Sequence, residues 1–210
     1  MRANQTAYVI LSLLSIEPRQ SGYDIRKTIE GSIGFFWHES FGQIYPTLKR
    51  LAGEGLVAET EAADSGDRKR YEYTITSAGR ACLKEWLALP CRRTPTRDEF
   101  LLKLFFGRSA APGVTVGHAR DFRARVNKLL AKLREIEAIG REKHRDHPHL
   151  PYWLLTLEYG YAQINAALAW SENALARLAD LDAAESTAPR ARAAARTATR
   201  RAARRPGAKK

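Results

Sequence analysis

The 210-residue chain is poor in cysteine, has a single methionine, and carries no long apolar run. Its two cysteines, Cys82 and Cys91, form neither a Cys-X-X-Cys pair nor a disulfide framework. A chain of this length buries a core without such staples, and the usage fits a reducing cytoplasm. The longest N-terminal apolar stretch, residues 7–14, is interrupted by Ser12 and is too short to cross a bilayer. Nothing has the form of a signal peptide, so no membrane partner is expected. Glycine-rich phosphate loops, H-E-x-x-H and the nucleophile elbow are all missing, and the carboxylates scatter over helix faces. An enzyme with a bound cofactor is therefore not expected. His144, His147 and His149 sit at a helix end and in a Pro-containing turn. No cysteine or carboxylate pair completes that cluster at zinc spacing, so no metal is expected there.

Positive charge is present in excess, but unevenly. The net charge is +12, and residues 183–210 alone hold nine basic residues against one acidic, a net of +8. Residues 1–110 carry 16 basic and 13 acidic side chains, and residues 111–182 carry ten and nine. The body of the chain is thus nearly neutral, and any nucleic-acid function there must rest on pattern rather than bulk charge. In 183–210 only alanine remains to pack, which predicts a disordered basic tail.

The most informative pattern is FGQIYPTLKRLAGEGLV, residues 41–57. It reads as one amphipathic helix. Ile44, Leu48 and Leu51 recur at helical spacing on an inner face, and Gln43, Pro46, Lys49 and Arg50 lie on a polar, basic outer face. Gly55 stops the helix where a left-handed residue is required. Leu56 and Val57 open a strand, and residues 71–75 form its partner, with Tyr71, Tyr73 and Ile75 on one face. Between them lie a turn-rich tip and Arg68, Lys69 and Arg70. Alternation sets Lys69 opposite its two neighbours. A helix with a basic outer face followed by a two-stranded wing is a winged helix-turn-helix. In that unit the helix enters the DNA major groove and the wing meets the flanking backbone.

The remaining elements follow from caps and periodicity. A first helix covers residues 5–16 and is apolar nearly all round, so it belongs at the centre of a core. Ser21 and Asp24 form a capping box for a second helix, with Tyr23, Ile25 and Ile29 inward. Phe35, Phe36 and Trp37 are expected to pack beneath the recognition helix. Ser40 and Gln43 have capping-box spacing before it, and Pro46 is tolerable near a first turn. Thr76 caps a fourth helix with Leu83, Trp86 and Leu87 inward. The expected organisation is a winged-helix domain over 1–89, a linker over 90–96, a helical dimerisation domain over 97–182, and the tail. In the helical part, residues 97–106 form a short apolar helix, and Thr115 caps the next. Phe122, Val126, Leu129, Leu133 and Ile136 make one heptad seam, which Gly140 would end. Leu154, Leu157, Tyr161, Ile164, Leu168, Ser171, Leu175 and Leu178 make a second. Two such seams form an antiparallel hairpin or pack on a second copy. Phe105, Leu129, Leu133, Leu157, Tyr161, Ile164, Leu168 and Leu175 are the candidate dimerisation residues. Tyr152, Trp153, Tyr159, Tyr161 and Trp170 could line a cavity for an aromatic ligand, but packing is the plainer role.

SGYDI at residues 21–25, FFWHESFGQIYPTLKRLAGEGLV ending at Val57, YTITSAGR at 73–80 and RDEFLLKLFF at 97–106 resemble the PadR-like transcriptional regulators. The likeness spans residues 8–181 in order. It is nearest to the members with a long helical C-terminal domain. It implies a mainly α-helical, cytoplasmic, nucleoid-bound repressor, dimeric through its C-terminal helices and bound to a palindromic operator on double-stranded DNA. A small aromatic effector is a candidate partner, since some members release DNA on binding phenolic molecules. The candidate DNA contacts are Ser40, Gln43, Tyr45, Pro46, Lys49, Arg50, Arg68, Lys69 and Arg70, with the reading heads about one helical turn apart or a multiple of it. The alanine- and arginine-rich tail departs from the family pattern. It gives a rival reading, an architectural nucleoid protein that binds DNA through the tail without sequence preference.

Overall fold

A computed structural model describes residues 5–37, 41–62, 70–91 and 97–203, with side chains up to Ala184 and only the backbone of Phe41. The chain divides into two compact units, residues 1–94 and 95–210. It is mainly helical. Among the described residues no helix is long and apolar enough to cross a membrane.

The N-terminal unit is built around α1 (Gln5–Ile16), which contacts α2 (Gly22–Gly31), α3 (Ile44–Gly53), α4 (Ser77–Ala88) and strand β2 (Tyr71–Ile75). Ile10, Leu11 and Leu14 of α1 are sealed from solvent together with Ile25, Ile29, Ile44, Leu48 and Leu51. Tyr8 stacks on Trp86 of α4, the ring centroids 4.6 Å apart. The chain leaves α1 through Arg19, whose φ of 61° is left-handed. The buried Gln20 amide then donates to the carbonyls of Leu13 and Glu17 and so satisfies the end of α1.

Strands β1 (Val57–Glu61) and β2 pair antiparallel, Val57 opposite Ile75 and Glu61 opposite Tyr71. A third strand, one residue long, was not foreseen. Gln20 bridges Tyr73 through both backbone hydrogen bonds, 3.2 Å and 2.9 Å. A single bridging residue leaves no alternation to read.

Local chemistry explains the boundaries. The Ser21 hydroxyl accepts from the Asp24 amide, and the Asp24 carboxylate accepts from the Ser21 amide, closing the capping box. The α3 helix ends in a Schellman turn: Leu56 N–H donates to Leu51 O (2.9 Å) and Gly55 N–H to Ala52 O (3.0 Å), with Gly55 at φ 69°. Thr76 caps α4 by accepting from Gly79 N–H at 3.0 Å.

Several expectations need correction. Tyr23 is exposed, not inward, and so are Leu87 and Phe36. Phe35 and Trp37 are only half-buried, so the aromatic trio does not form core beneath the recognition helix. That helix is shorter than expected, a single 3-10 turn at Phe41–Gln43 followed by α3.

The C-terminal unit comprises α5 (Glu99–Phe105), α6 (Val114–Lys143) and α7 (Leu150–Ala203). The α6 and α7 helices form an antiparallel hairpin. Tyr161 donates to Glu137 (2.8 Å), and Gly113 N–H donates to Asp182 (2.8 Å). Phe100 stacks on Phe122 at 4.6 Å, and Trp170 meets both rings edge-on. The α6 helix starts at Gly113 in left-handed conformation (φ 82°) with no side-chain cap, while Thr115 is buried inside the first turn. The α6 helix continues past Gly140 to Lys143, but Arg141, Glu142 and Lys143 are exposed, so the covered seam ends at Gly140 as expected. The α7 helix runs through Ala203, across much of the segment expected to be disordered. Alanine and arginine are strong helix formers, and a helix needs no core to be locally favoured.

Candidate nucleic-acid interface

The α3 helix separates its faces sharply. Ile44, Thr47, Leu48 and Leu51 are buried, while Gln43, Tyr45, Pro46, Lys49 and Arg50 are exposed. The inward stripe holds the helix on α1, and the outward row leaves an amide, a phenol, an ammonium and a guanidinium on one surface. Those groups offer donors to phosphate and to base edges in the major groove. Pro46 falls at the third helical position, where its missing N–H breaks no intrahelical bond. Gln43 is the residue before the helix but makes no side-chain cap. Ser40 lies outside the described residues.

Two of the cations are already paired. Arg50 donates to Glu54 at 2.8 Å, one turn along the exposed face. An exposed pair of this kind is worth about 0.2–1 kcal/mol and exchanges readily for a phosphate. Arg70, just before β2, donates to Asp24 at 3.0 Å and reaches the Ser21 hydroxyl at 3.4 Å. Arg68 and Lys69 lie outside the described residues. The described part of the wing carries Glu59, Glu61 and Glu72, so its strands are acidic rather than basic. Glu59 accepts from the Tyr73 hydroxyl at 2.8 Å, and burial together with that carboxylate pushes the phenol well above its ordinary pKa.

One contact ties α2 to this surface. The Tyr45 ring lies over Gly22, and a Cβ added at Gly22 would stand 2.6 Å from its Cε1. Tyr23 and Lys27, both on α2, are exposed, and neither figured among the expected contacts. The signal that could have found them is their distance around the helix from the buried Ile25 and Ile29. Gly22→Ala should displace the Tyr45 ring at little cost to the fold, because the ring is exposed and alanine favours helix. The expected outcome is an unchanged melting temperature with weaker DNA binding, read by a melt and a fluorescence titration. Native affinity in that variant would remove Tyr45 from the interface.

The expected dimerisation residues are found elsewhere than on a free face. Leu133, Leu157 and Ile164 are buried within one chain, and Leu129, Tyr161, Leu168 and Leu175 are half-buried along the same seam. That seam joins α6 to α7. Of the group only Phe105 is open, at 83% exposure, beside the exposed Leu101, Leu102 and Phe106. In the turn between α6 and α7, His147 stacks on Trp153 with centroids 4.8 Å apart.

The Transcriptional regulator PadR-like family matches residues 10–85, and the Virulence activator alpha C-term family matches residues 96–179. The negative transcriptional regulator PadR of Bacillus subtilis is 28% identical over 177 residues, 81% of this chain and 96% of that protein. Its crystal structure with operator DNA superposes with a TM-score of 0.69 at 26% identity, covering 83% of this chain and 99% of that one. The chain belongs to the PadR-like family of transcriptional regulators. As a PadR-like protein it is a DNA-binding regulator of transcription and not an enzyme. The Bacillus protein has also been solved with p-coumaric acid, a structure that matches with a TM-score of 0.61 at 27% identity over 82% of this chain and 97% of that one. The virulence activator AphA of Vibrio cholerae matches with a TM-score of 0.64 at 30% identity, over 84% of this chain and 99% of that one.

Proposed function

We propose that this PadR-like regulator is a repressor that binds a palindromic operator as a homodimer and is released by a small aromatic acid. The observation that carries the DNA-reading half is the outward row Gln43, Tyr45, Pro46, Lys49 and Arg50 on a helix whose opposite face is buried. Repression is supported by the similarity to a negative regulator, and the effector class by that relative's complex with p-coumaric acid. Dimerisation is supported by the open apolar surface of α5, Leu101, Leu102, Phe105 and Phe106, which a second copy would cover. The arginine-rich end over 183–210 adds phosphate affinity that does not depend on base sequence. The protein works in the cytoplasm, on the nucleoid.

The test is a search for an inverted repeat protected by the full-length protein, upstream of its own coding region, followed by substitution. Gln43→Ala and Arg50→Ala should each weaken binding by about 1–3 kcal/mol if the side chain contacts a base. Both variants should melt like the native chain, since both side chains are exposed. Transcription from the protected promoter should rise when the protein is withdrawn. A fall would make it an activator.

A further inference from the structure

The position of Arg70 suggests more than a phosphate contact. We infer that Arg70 is a positioning residue, tying the wing to the start of α2 through Asp24 and Ser21 so that wing and recognition helix meet DNA in one fixed geometry. The inference rests on the DNA-binding reading of α3 and the wing given above.

Arg70 stands at the outer end of the strand pair, away from the junction with the body at Val57 and Ile75. Its carbonyl accepts from Ala62 N–H at 2.8 Å, closing the ladder one step beyond the paired strands. Its guanidinium turns the other way, to Asp24 Oδ2 at 3.0 Å. That same carboxylate oxygen accepts from the Ser21 hydroxyl at 2.6 Å and the Ser21 amide at 3.0 Å. One oxygen atom thus joins the wing to Ser21, which both caps α2 and follows the Gln20 bridge. Burial alone would raise the Asp24 pKa, but the hydrogen bonds from Ser21 and Arg70 outweigh it and hold the carboxyl below its ordinary range. The carboxylate is therefore ionised whenever the protein is near neutral pH.

Geometry explains why a second tie matters. Strand β2 is attached to the segment before α2 by the backbone bridge at Tyr73. Val57, Tyr73 and Ile75 anchor the base of the strand pair in the core, so the end at Glu61 and Tyr71 is the part that this packing and the bridge leave to be fixed. Arg70 lies three residues from Tyr73, about 10 Å along an extended strand. Attachment at two points that far apart fixes a direction. The start of α2 is in turn set against α3, because the Tyr45 ring lies on Gly22. Besides the direct junction of α3 with β1 at Leu56, a second path from wing to recognition face therefore runs through Arg70, Asp24, the first turn of α2 and Tyr45.

Energetics separates this role from a structural one. The side chains of the pair are 55% and 38% exposed, so its worth to folding is small. Its loss should show in binding before it shows in melting. The two roles open to Arg70 also predict opposite signs for Asp24. If Arg70 gripped a phosphate, Asp24→Asn would release it and remove a negative charge near DNA, and affinity would rise. If Arg70 positions the wing, the same substitution weakens binding although the protein becomes more positive.

The experiment uses the full-length protein and a duplex that it selects from random-sequence DNA, titrated at several salt concentrations. The variants are Asp24→Asn, Arg70→Ala, their combination, Arg70→Lys and Arg50→Ala. Asparagine keeps an oxygen for the Ser21 amide, so α2 stays capped. Asp24→Asn and Arg70→Ala should each lose about fivefold or more in affinity, a typical size for coupling between two parts of a protein. The combination should be no worse than either alone, because the two act through one contact. Arg70→Lys should recover part of the loss, and the salt slopes of Asp24→Asn and Arg70→Ala should equal the native one. Tighter binding by Asp24→Asn, or a salt slope shallower by about one in Arg70→Ala, overturns the proposal in favour of a phosphate contact. Arg50→Ala separates the two levels. If it binds like the native chain, the interface reading falls and the tie has nothing to position. If it binds weakly while Asp24→Asn matches the native protein, only the positioning role falls.

Discussion

Leu133→Ala should cost the helical hairpin about 3 kcal/mol, within the range for removing a buried leucine side chain. Leu133 is wholly buried within one chain, in the second half of α6, and the hairpin places it against the seam of α7, where Leu157 and Ile164 are also buried. Cutting it back leaves a cavity between two helices that are joined at both ends, by the Gly113–Asp182 hydrogen bond and by the short 144–149 turn. Two long helices tied in this way cannot easily collapse to fill the space. The measurement is hydrogen exchange along α6 and α7 in the full-length protein. Protection should fall in both helices together, and by the same amount at high and low protein concentration. Phe105→Ser, at a residue largely open to solvent in one chain, should leave that protection unchanged. If the Leu133→Ala loss instead faded as the protein was concentrated, the seam would belong to a subunit interface and the hairpin packing would be misassigned.

The same seam shows how far periodicity carries. Every position expected along α7, from Leu154 through Ser171 to Leu178, is buried or half-buried. The pattern states that this face is covered, not what covers it. The hairpin and the second copy satisfy it equally, and only the short turn between the helices favours the first. In the N-terminal unit the caps were legible because their chemistry is local. The Ser21–Asp24 box, the Gly55 turn and the Thr76 cap each lie within a few residues of sequence. Tyr23 shows the limit. It stands two residues before Ile25, about 200° around a helix, and so cannot share the stripe of Ile25 and Ile29. Leu87 has the right spacing from Leu83 but lies in the last turn of α4, beyond the edge of the core.

The outward row of α3 was legible for the same reason as its core stripe. Once Ile44, Leu48 and Leu51 face in, Gln43, Lys49 and Arg50 have to face out. The state of the cations was not legible. Asp24 and Arg70 are 46 residues apart, and nothing in either neighbourhood marks the other as its partner. The run Arg68, Lys69 and Arg70 reads equally as a solvated turn or a DNA contact, so its charge pattern alone does not reveal a tie within the protein.

Gly79→Ala should destabilise the N-terminal unit by about 3 kcal/mol, the upper part of the usual range for overpacking, and abolish DNA binding where unfolded protein accumulates. In an ordinary helix this change is favourable, because glycine is the poorer helix former by about 1 kcal/mol. Here a Cβ would lie 2.1 Å from the carbonyl oxygen of Leu56 and 2.8 Å from Ile75 Cγ1. The first neighbour is backbone and cannot rotate away. It is also committed, since it accepts from Thr76 N–H at 3.1 Å, and Leu56 N–H closes the turn at the end of α3 by donating to Leu51 O. Relief therefore requires α4 to back off from the junction of α3 with β1. That movement would loosen the Thr76 cap, the β1–β2 pairing at Val57 and Ile75, and the packing of Leu83. All of these hold the recognition helix in place from its C-terminal side. The check is chemical denaturation of the full-length protein followed by a signal from the N-terminal unit, such as Trp86 fluorescence with the other tryptophans replaced. Gly53→Ala is the matched control: a Cβ there meets nothing within 4 Å, so the helix should gain slightly in stability. An equal gain in both variants would mean that α4 does not approach Leu56 as closely as described, and the account of how the wing is joined to the body would need to be rebuilt.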